Sequence, residues 1–593
     1  MVTLEDSCRY TMTGKKLFSI ITMTLAAMIG NAPQVQGESG KPADKAGIQA
    51  EIILRKLSTR EKIAQLFCFA YGDFQKGKDL EIRMKAVRDG AGGIIIDDGD
   101  IEATSRQLNA FMDNAKVPLF IALDGEWGVG MRYYSVPSFP RQMQLGALSD
   151  ESLVYRMGEL IGHECRDFGF NVNFAPVVDI NNNPGNPVIN TRSFGEDRDK
   201  VARFSTAFML GMQSAGVAGS SKHFPGHGDT NVDSHKGLPV IEFDRDRLDS
   251  LELYPFRKHI EAGVDMIMVG HLSVPALDPT GTPSSISKPM LTGLLREKMG
   301  FKGVIVTDAL TMKGLVNGSD LTQDEIPLAS FMAGSDMLLM PKDMDASMKI
   351  IRKALRNGVI TMEQLDEKVL RILTLKARLG LFDHDNRISL QDIQTRGIRK
   401  ENLALMDEIA EKTMTLVGGR PAKATAGQKT VYLAYMDTTA KEGTFEGVGG
   451  YPGLNPEKTA EVFLETLREY GGSVEFMKFD GTPEQLESVR SYDRIIVGYH
   501  NYNIRKQNVY DIPEEVMDFM YSLPEDRLTS VYFGNPYILD RIDWRRLGSF
   551  IIAYQNTTFN AKAAAKVVQN VIPAQGVLPV SAGGLPCGYY FTE

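Results

Sequence analysis

No two of the four cysteines stand close enough in sequence for a CxxC redox pair or a zinc knuckle: they are Cys8, Cys68, Cys165 and Cys587. A disulfide framework of the kind that holds small exported domains together is therefore excluded. Cys68 and Cys165 fall in apolar stretches, where a free thiol behaves as a small hydrophobe. Basic clusters are also missing, and a net charge of −9 gives no electrostatic basis for nucleic-acid or anionic-membrane binding. Neither a repeat of about 20–50 residues nor a low-complexity tract is found, which removes solenoids and propellers from consideration.

Long apolar runs are scarce too. The segment LFSIITMTLAAMI (17–29) is too short to cross a bilayer comfortably. Lys15 and Lys16 precede it and small, polar residues follow, which is the pattern of a secretory signal peptide. Cleavage is expected near Gly37, with Ala32 as the alternative, disfavoured by Pro33. A buried core helix is the competing reading, but the position and the lysine flank favour export to the periplasm or the cell exterior. No membrane span is then expected in the mature chain. At 593 residues the sequence exceeds what one hydrophobic core supports, so two domains are expected.

What the sequence does contain is a series of short apolar runs, each ending in a polar residue. In order they are QLFCFA (65–70), GGIIID (92–97), PLFIALD (118–124), VNFAPVVD (172–179), VAGSSKHF (217–224), DMIMVGH (265–271), GVIVTD (303–308) and DMLLMP (336–341). Helix-like stretches separate them, for example SDESLVYRMGELIGHECRDFG, where Ser149, Glu151 and Ser152 offer N-cap chemistry and Gly169 a stop. Continuous apolar strands alternating with helices imply a parallel sheet buried on both faces, and this number of units fits an α/β fold of the (β/α)8 TIM-barrel type. An open doubly wound sheet is the structural competitor. The barrel reading places chemistry at the carboxyl ends of the strands, where Asp124, Asp179, Lys222-His223, His271 and Asp308 stand.

A polar stretch follows, and then a second strand series: TVYLAYMD (430–437), SVEFMKFD (473–480), RIIVGYH (494–500), SVYFGNP (530–536) and FIIAYQ (550–555). This reads as a smaller three-layer α/β sandwich domain. The expected organisation is a signal peptide over 1–37, a catalytic barrel over 48–390, a linker over 391–412 and a C-terminal α/β domain over 413–593.

The loop KHFPGHGDTNVDSHKGLP (222–239) concentrates the ionisable chemistry. His223 and His227 have a helical ligand spacing, yet Pro225 and Gly226 break any helix between them, so no metal site is expected. Asp233 and His235 are two apart, which allows the carboxylate to take one imidazole N–H, fix the tautomer and support the imidazolium. His227 and Asp229 read as loop-shaping groups, His271 as a supporting core residue, and Arg192 and Asp197 as a possible pair across a loop.

The same loop resembles the signature of glycoside hydrolase family 3, specifically its β-N-acetylglucosaminidase branch. Further likenesses are LSTREKIAQLF, RSFGEDR (192–198), GFKGVIVTDALTM (300–312), AGSDMLLMP (333–341) and the tail AAAKVVQNVIPAQGVLPVS (563–581). The resemblance implies Asp308 as nucleophile, His235 as general acid/base and Asp233 as its orienting partner. It also implies Asp124, Arg132, Arg192, Lys222 and His223 as ligands of sugar hydroxyls. The family commonly has Asp-Gln-Glu-Gly-Gly after strand three, whereas this chain has DGEWGVGMR (124–132), so Trp127 is expected to stack on a sugar face or narrow the site. The implied activity is a retaining, exo-acting β-N-acetylglucosaminidase releasing terminal N-acetylhexosamine from amino-sugar oligomers or peptidoglycan fragments, with no cofactor. A β-glucosidase or glycoside phosphorylase on the same fold, and a non-catalytic sugar-binding protein, are the alternatives.

Overall fold

The computed structural model describes residues 41–592 apart from 73–77, 98, 134, 384–385, 392, 394–398, 437–455 and 501–511. The expected signal segment lies outside the described residues. No described helix is long and apolar enough to cross a membrane.

Eight parallel strands follow the expected series: β1 (Phe67–Tyr71), β2 (Gly93–Ile96), β3 (Phe120–Leu123), β4 (Val172–Asn173), β5 (Ala218–Phe224), β6 (Met266–Val269), β7 (Val304–Thr307) and β8 (Leu338–Leu339). They pair in the order β7-β6-β5-β4-β3-β2-β1-β8. The ring is completed by a parallel bridge between Val306 and Met337, with the Thr307 N–H donating to the Met337 carbonyl. The first domain is thus a (β/α)8 barrel. Successive residues serve different cores: Ile94, Ile96, Ile121 and Leu123 pack in one cluster, Ile95, Phe120 and Ala122 in another. Burial on both faces is why these strands read as unbroken apolar runs.

Two strands are shorter than their apolar runs suggest. Pro176 has no N–H to give to a ladder, so β4 stops at Asn173 and the chain rejoins its neighbour only through an isolated Val177–Lys222 bridge. Similarly, β8 ends before Met340, whose φ is 51°. The cap of the helix Ser152–Asp167 also differs from expectation. Asp150, not Ser149 or Glu151, accepts the Ser152 N–H at 2.9 Å and its hydroxyl at 2.8 Å, because its carboxylate reaches both donors.

The second sheet comprises β9 (Thr415–Gly418), β10 (Thr430–Met436), β11 (Val474–Lys478), β12 (Arg494–His500), β13 (Leu528–Tyr532) and β14 (Ser549–Ile552). Its order is β11-β10-β12-β13-β14-β9, parallel except for β9 against β14. Val431 and Leu433 pack with Val489, Met517 and Met520 on one face, while Tyr432 and Ala434 pack with Phe463, Leu467 and Ala564 on the other. Helices therefore cover both faces of a three-layer sandwich. The stretch expected as a linker holds the helix Lys400–Thr413. Its buried Leu405 and Met406 join the barrel's outer core and its Ala410 joins the second domain's core, so it packs as a shared element.

One buried ion cluster anchors the strand that ends at Asp308. Asp336 is fully buried, accepts the Ile305 N–H at 2.8 Å, and pairs with Arg371 at 2.9 Å and with Arg296. Asp336→Ala leaves Arg296 without its carboxylate, leaves Arg371 only the exposed Glu367, and frees a backbone donor of β7. The expected loss of unfolding free energy is about 3 kcal/mol, read by chemical denaturation; a loss below about 1 kcal/mol would show that the cluster is not an anchor.

Candidate active site

Asp124 leaves β3, Lys222 and His223 end β5, and Asp308 follows β7, so barrel closure brings them to one end. The eight residues singled out from the sequence, Asp124, Arg132, Arg192, Lys222, His223, Asp233, His235 and Asp308, all line one cavity of about 410 Å³. Met131, Val188, Ile189 and Met268 contribute apolar wall.

Two networks share this cavity. In the first, the Lys222 ammonium lies 2.8 Å from Asp124 and 2.8 Å from Glu126. Arg192 grips Glu126 with two bonds of 2.9 and 2.7 Å and stands 3.4 Å from the His223 ring. Arg132 donates to Asp124 at 3.0 Å and to Asp97 at 3.1 Å. Burial pushes the Glu126 carboxyl up, but Arg192 and Lys222 outweigh it and hold the group well below 4.5. Asp124 is likewise held down, against burial, by Lys222 and Arg132. Lys222 and Arg192 are raised in turn by these carboxylates, against burial, so all four stay charged around neutral pH.

The second network can titrate. His235 Nδ1 lies 2.8 Å from Asp233 Oδ1, and the same carboxylate oxygen accepts the His235 backbone N–H at 2.9 Å. The side chain of His235 is 64% exposed, so its orientation comes from this partner and not from packing. The bond to Asp233 raises the imidazole pKa above 6.5, burial opposes, and Asp308 adds to the rise. Asp233 is lowered to about 2, the His235 bonds prevailing over burial. Asp308 accepts the Ala309 N–H at 2.7 Å. Burial would raise its carboxyl, yet the facing imidazoles of His271, His223 and His235 leave it below 3.8.

The loop itself is held from beneath. Asp179 takes the His223 ring at 2.7 Å and the His227 N–H at 2.7 Å. His227, whose pKa burial lowers to about 4, bonds Thr230 at 2.8 Å and Ser234 at 3.1 Å, next to the dyad. Asn186 donates to the carbonyls of His227 and Gly228 at 2.8 Å each. A Cβ at Gly228 would sit 1.8 Å from the Ile180 carbonyl, so only glycine fits there. His271 is buried, bonding Ser285 at 2.7 Å and the Ala309 carbonyl at 3.0 Å, which steadies the chain beside Asp308.

Two expectations need correction. Trp127 does not face the cavity: it is 1% exposed and lies beneath the Arg141 guanidinium, 4.2 Å from the ring centroid. The turn through Gly125–Gly128 carries it inward. Nor does Arg192 pair with Asp197, which instead caps the helix Arg198–Ser214 through the Asp199 and Lys200 N–H groups. Sequence reasoning missed Glu126, Arg141 and Glu164. Glu164 accepts the Val129 N–H at 2.9 Å beneath the turn that carries Arg132, and burial pushes its carboxyl up to about 8. Among the described residues no three His, Cys, Asp or Glu converge as metal ligands.

The profile of the glycosyl hydrolase family 3 N terminal domain matches residues 58–375. The chain is 29% identical over 561 residues to a beta-N-acetylglucosaminidase/beta-glucosidase of Cellulomonas fimi, covering 91% of this chain and 96% of that one. It is 33% identical over 347 residues to the beta-hexosaminidase LpqI of Mycobacterium tuberculosis, covering 56% of this chain and 85% of the other. A solved family 3 beta-N-acetylglucosaminidase from Paenibacillus sp. superposes with a TM-score of 0.72 at 29% identity, over 90% of this chain and all of its own.

The depressed Glu126 carboxyl has a consequence for stability. Such a group stabilises the fold above its unfolded value near 4.5, and the stabilisation is lost as pH falls through the lower folded value. Glu126→Gln should therefore cost about 3 kcal/mol near neutral pH, with the difference from wild type shrinking at about pH 3. Denaturation curves at the two pH values decide it; an equal deficit at both would mean that the carboxylate charge is not what Lys222 and Arg192 require.

Proposed function

Because this chain belongs to glycosyl hydrolase family 3, we propose that it is a retaining, exo-acting β-N-acetylglucosaminidase in which Asp308 is the nucleophile and His235 the acid/base. It is a glycoside hydrolase, and the observation that carries the finer reading is the sharing of one cavity by Asp308 and the Asp233–His235 pair.

The chemistry follows from the two networks. Asp124, Lys222, Arg192 and His223 present fixed donors and acceptors to the hydroxyls of one pyranose. That hold positions the anomeric carbon before the Asp308 carboxylate, whose low pKa keeps it ionised for attack. Since Nδ1 of His235 is committed to Asp233, Nε2 gives its proton to the glycosidic oxygen as that C–O bond breaks. A glycosyl ester on Asp308 results. Water then enters, gives its proton to Nε2 and attacks the anomeric carbon, freeing Asp308 with net retention. A His–Asp pair does here what a carboxylic acid does in most glycosidases, and its strengthened basicity suits the return of the proton.

The substrate class is the terminal N-acetylhexosamine of amino-sugar oligomers, peptidoglycan fragments included. The lysine-flanked apolar segment near the N-terminus supports export, which would bring the enzyme to cell-wall material.

Nitrophenol release from paired p-nitrophenyl N-acetyl-β-glucosaminide and β-glucoside, with and without phosphate, tests substrate and acceptor together. Preference for the amino sugar and indifference to phosphate are expected. Asp308→Asn should cut kcat on the order of 10⁴-fold, and a fluorosugar adduct should map to Asp308 by mass spectrometry; attachment elsewhere refutes the nucleophile. His235→Ala should cost about 10²-fold or more on poor leaving groups and far less on nitrophenyl substrates; a uniform loss refutes the acid.

The pH profile has a definite shape. With Asp308 held below 3.8 and His235 raised above 6.5, kcat/KM should fall on the acid side below the usual carboxylate range and on the alkaline side above 6.5. Asp233→Asn removes the largest influence raising the imidazole, so the alkaline limb should move to lower pH. An unmoved limb would assign it to another group.

A further inference from the structure

The second domain meets the barrel at the wall of the cavity, through polar contacts. Asn535, just past β13, is 1% exposed and donates its amide to Asn190 Oδ1 at 2.6 Å. Asn190 has a φ of 40°, one of four non-glycine residues with positive φ among the described residues, and it lines the cavity. Residues other than glycine rarely hold that backbone region; asparagine does so most readily, helped by its own side-chain bonds, and Asn190 also donates to the Asn186 carbonyl at 3.5 Å. Two residues on, Arg192 makes its double bond to Glu126. The conformation at Asn190 therefore sets where that guanidinium starts.

A second contact reaches the same wall. Gln555, beyond β14, accepts the Arg141 N–H at 2.7 Å, and Arg141 donates to Thr191 at 3.4 Å while lying over Trp127. Asn181, near the start of the loop that leads to Asn190, donates to the Tyr537 hydroxyl at 2.9 Å. The domains also meet away from the pocket, where Ser581 donates to Glu196 and Asn560 to Gln144, but the contacts at residues 190 and 141 fall on its wall.

We propose that Asn535 is a positioning residue: from the second domain it clamps Asn190 in its left-handed conformation and so places Thr191 and Arg192 for sugar binding. This rests on the glycosidase reading above. Because the wall binds substrate before and during reaction alike, loss of the clamp raises KM and leaves kcat nearly unchanged.

The test uses the full chain with Asn535→Ser, Asn190→Gly and both together. Asn535 Oδ1 also caps its own turn by accepting the Tyr537 N–H at 3.1 Å. Serine keeps that capping ability but is too short to reach Asn190. Asn535→Ser should raise KM for the nitrophenyl amino sugar about tenfold with kcat within about twofold, and should speed amide hydrogen exchange over 187–192. Glycine accepts positive φ without help, so the double variant should be no worse than Asn190→Gly alone. Wild-type KM and exchange in Asn535→Ser overturn the proposal, as does a loss accounted for by the unfolded fraction, or additive effects in the pair. Should wild type release no aryl glycoside, the functional reading falls, and the exchange comparison alone still decides the clamp.

Discussion

A lysine ammonium buried to 2% exposure is the constraint around which the site is arranged. Such a charge is tolerable only if paired and hydrogen-bonded. Lys222 meets that condition through Asp124 and Glu126, at 2.8 Å each, and Glu126 in turn needs Arg192. Those groups come from the ends of β3 and β5 and from the loop through residue 190. None is satisfied until the barrel has closed and the loop has docked, so the ion pairs that would orient a sugar also report correct assembly. They leave Asp308 and His235 outside the network, joined to it only by weaker fields. Sugar binding and proton transfer are thus assigned to different charges, and the second set changes state without disturbing the first.

Much of this arrangement is legible in the sequence for a specific physical reason. Parallel strands covered on both faces need unbroken apolar runs, and the first charged residue that ends or follows each run marks a strand exit; Asp124, Lys222 and Asp308 are found that way. The Asp233–His235 pair is visible because both partners lie in one short loop. Glu126 is not, since it stands in a glycine turn without periodicity and its arginine is 66 residues away. Trp127 misleads because an aromatic near a sugar pocket suggests stacking, whereas a turn of two residues decides which way it faces. Thr415–Gly418 escaped notice as a strand because it is short and pairs antiparallel at the edge. The helix Lys400–Thr413 hides among polar residues because its buried stripe is divided between two domains.

That shared helix bears on how the domains work as a unit. Its apolar stripe supplies the non-directional part of the association, while the amide contacts at Asn535, Gln555 and Tyr537 supply direction. Buried amides are costly when unmatched, so an interface that is displaced by a fraction of a residue loses more than one built of methyl groups. Placing such contacts against the cavity wall converts domain docking into a condition on pocket shape.

The same division of labour explains why an exposed histidine can serve both halves of a retaining cycle. Its basicity is raised by Asp233 and also by the negative charge of Asp308. In the proposed cycle that second charge disappears when Asp308 becomes a glycosyl ester. One of the influences raising the imidazole is then gone, and the proton it has just delivered is not drawn back from bulk water as strongly. His235 is left neutral at the moment when it must accept a proton from the attacking water. When hydrolysis restores the carboxylate, the field that favours the imidazolium returns with it. The Asp233 bond keeps the tautomer throughout, so the proton is exchanged only at Nε2, on the side where the glycosidic oxygen leaves and the water arrives.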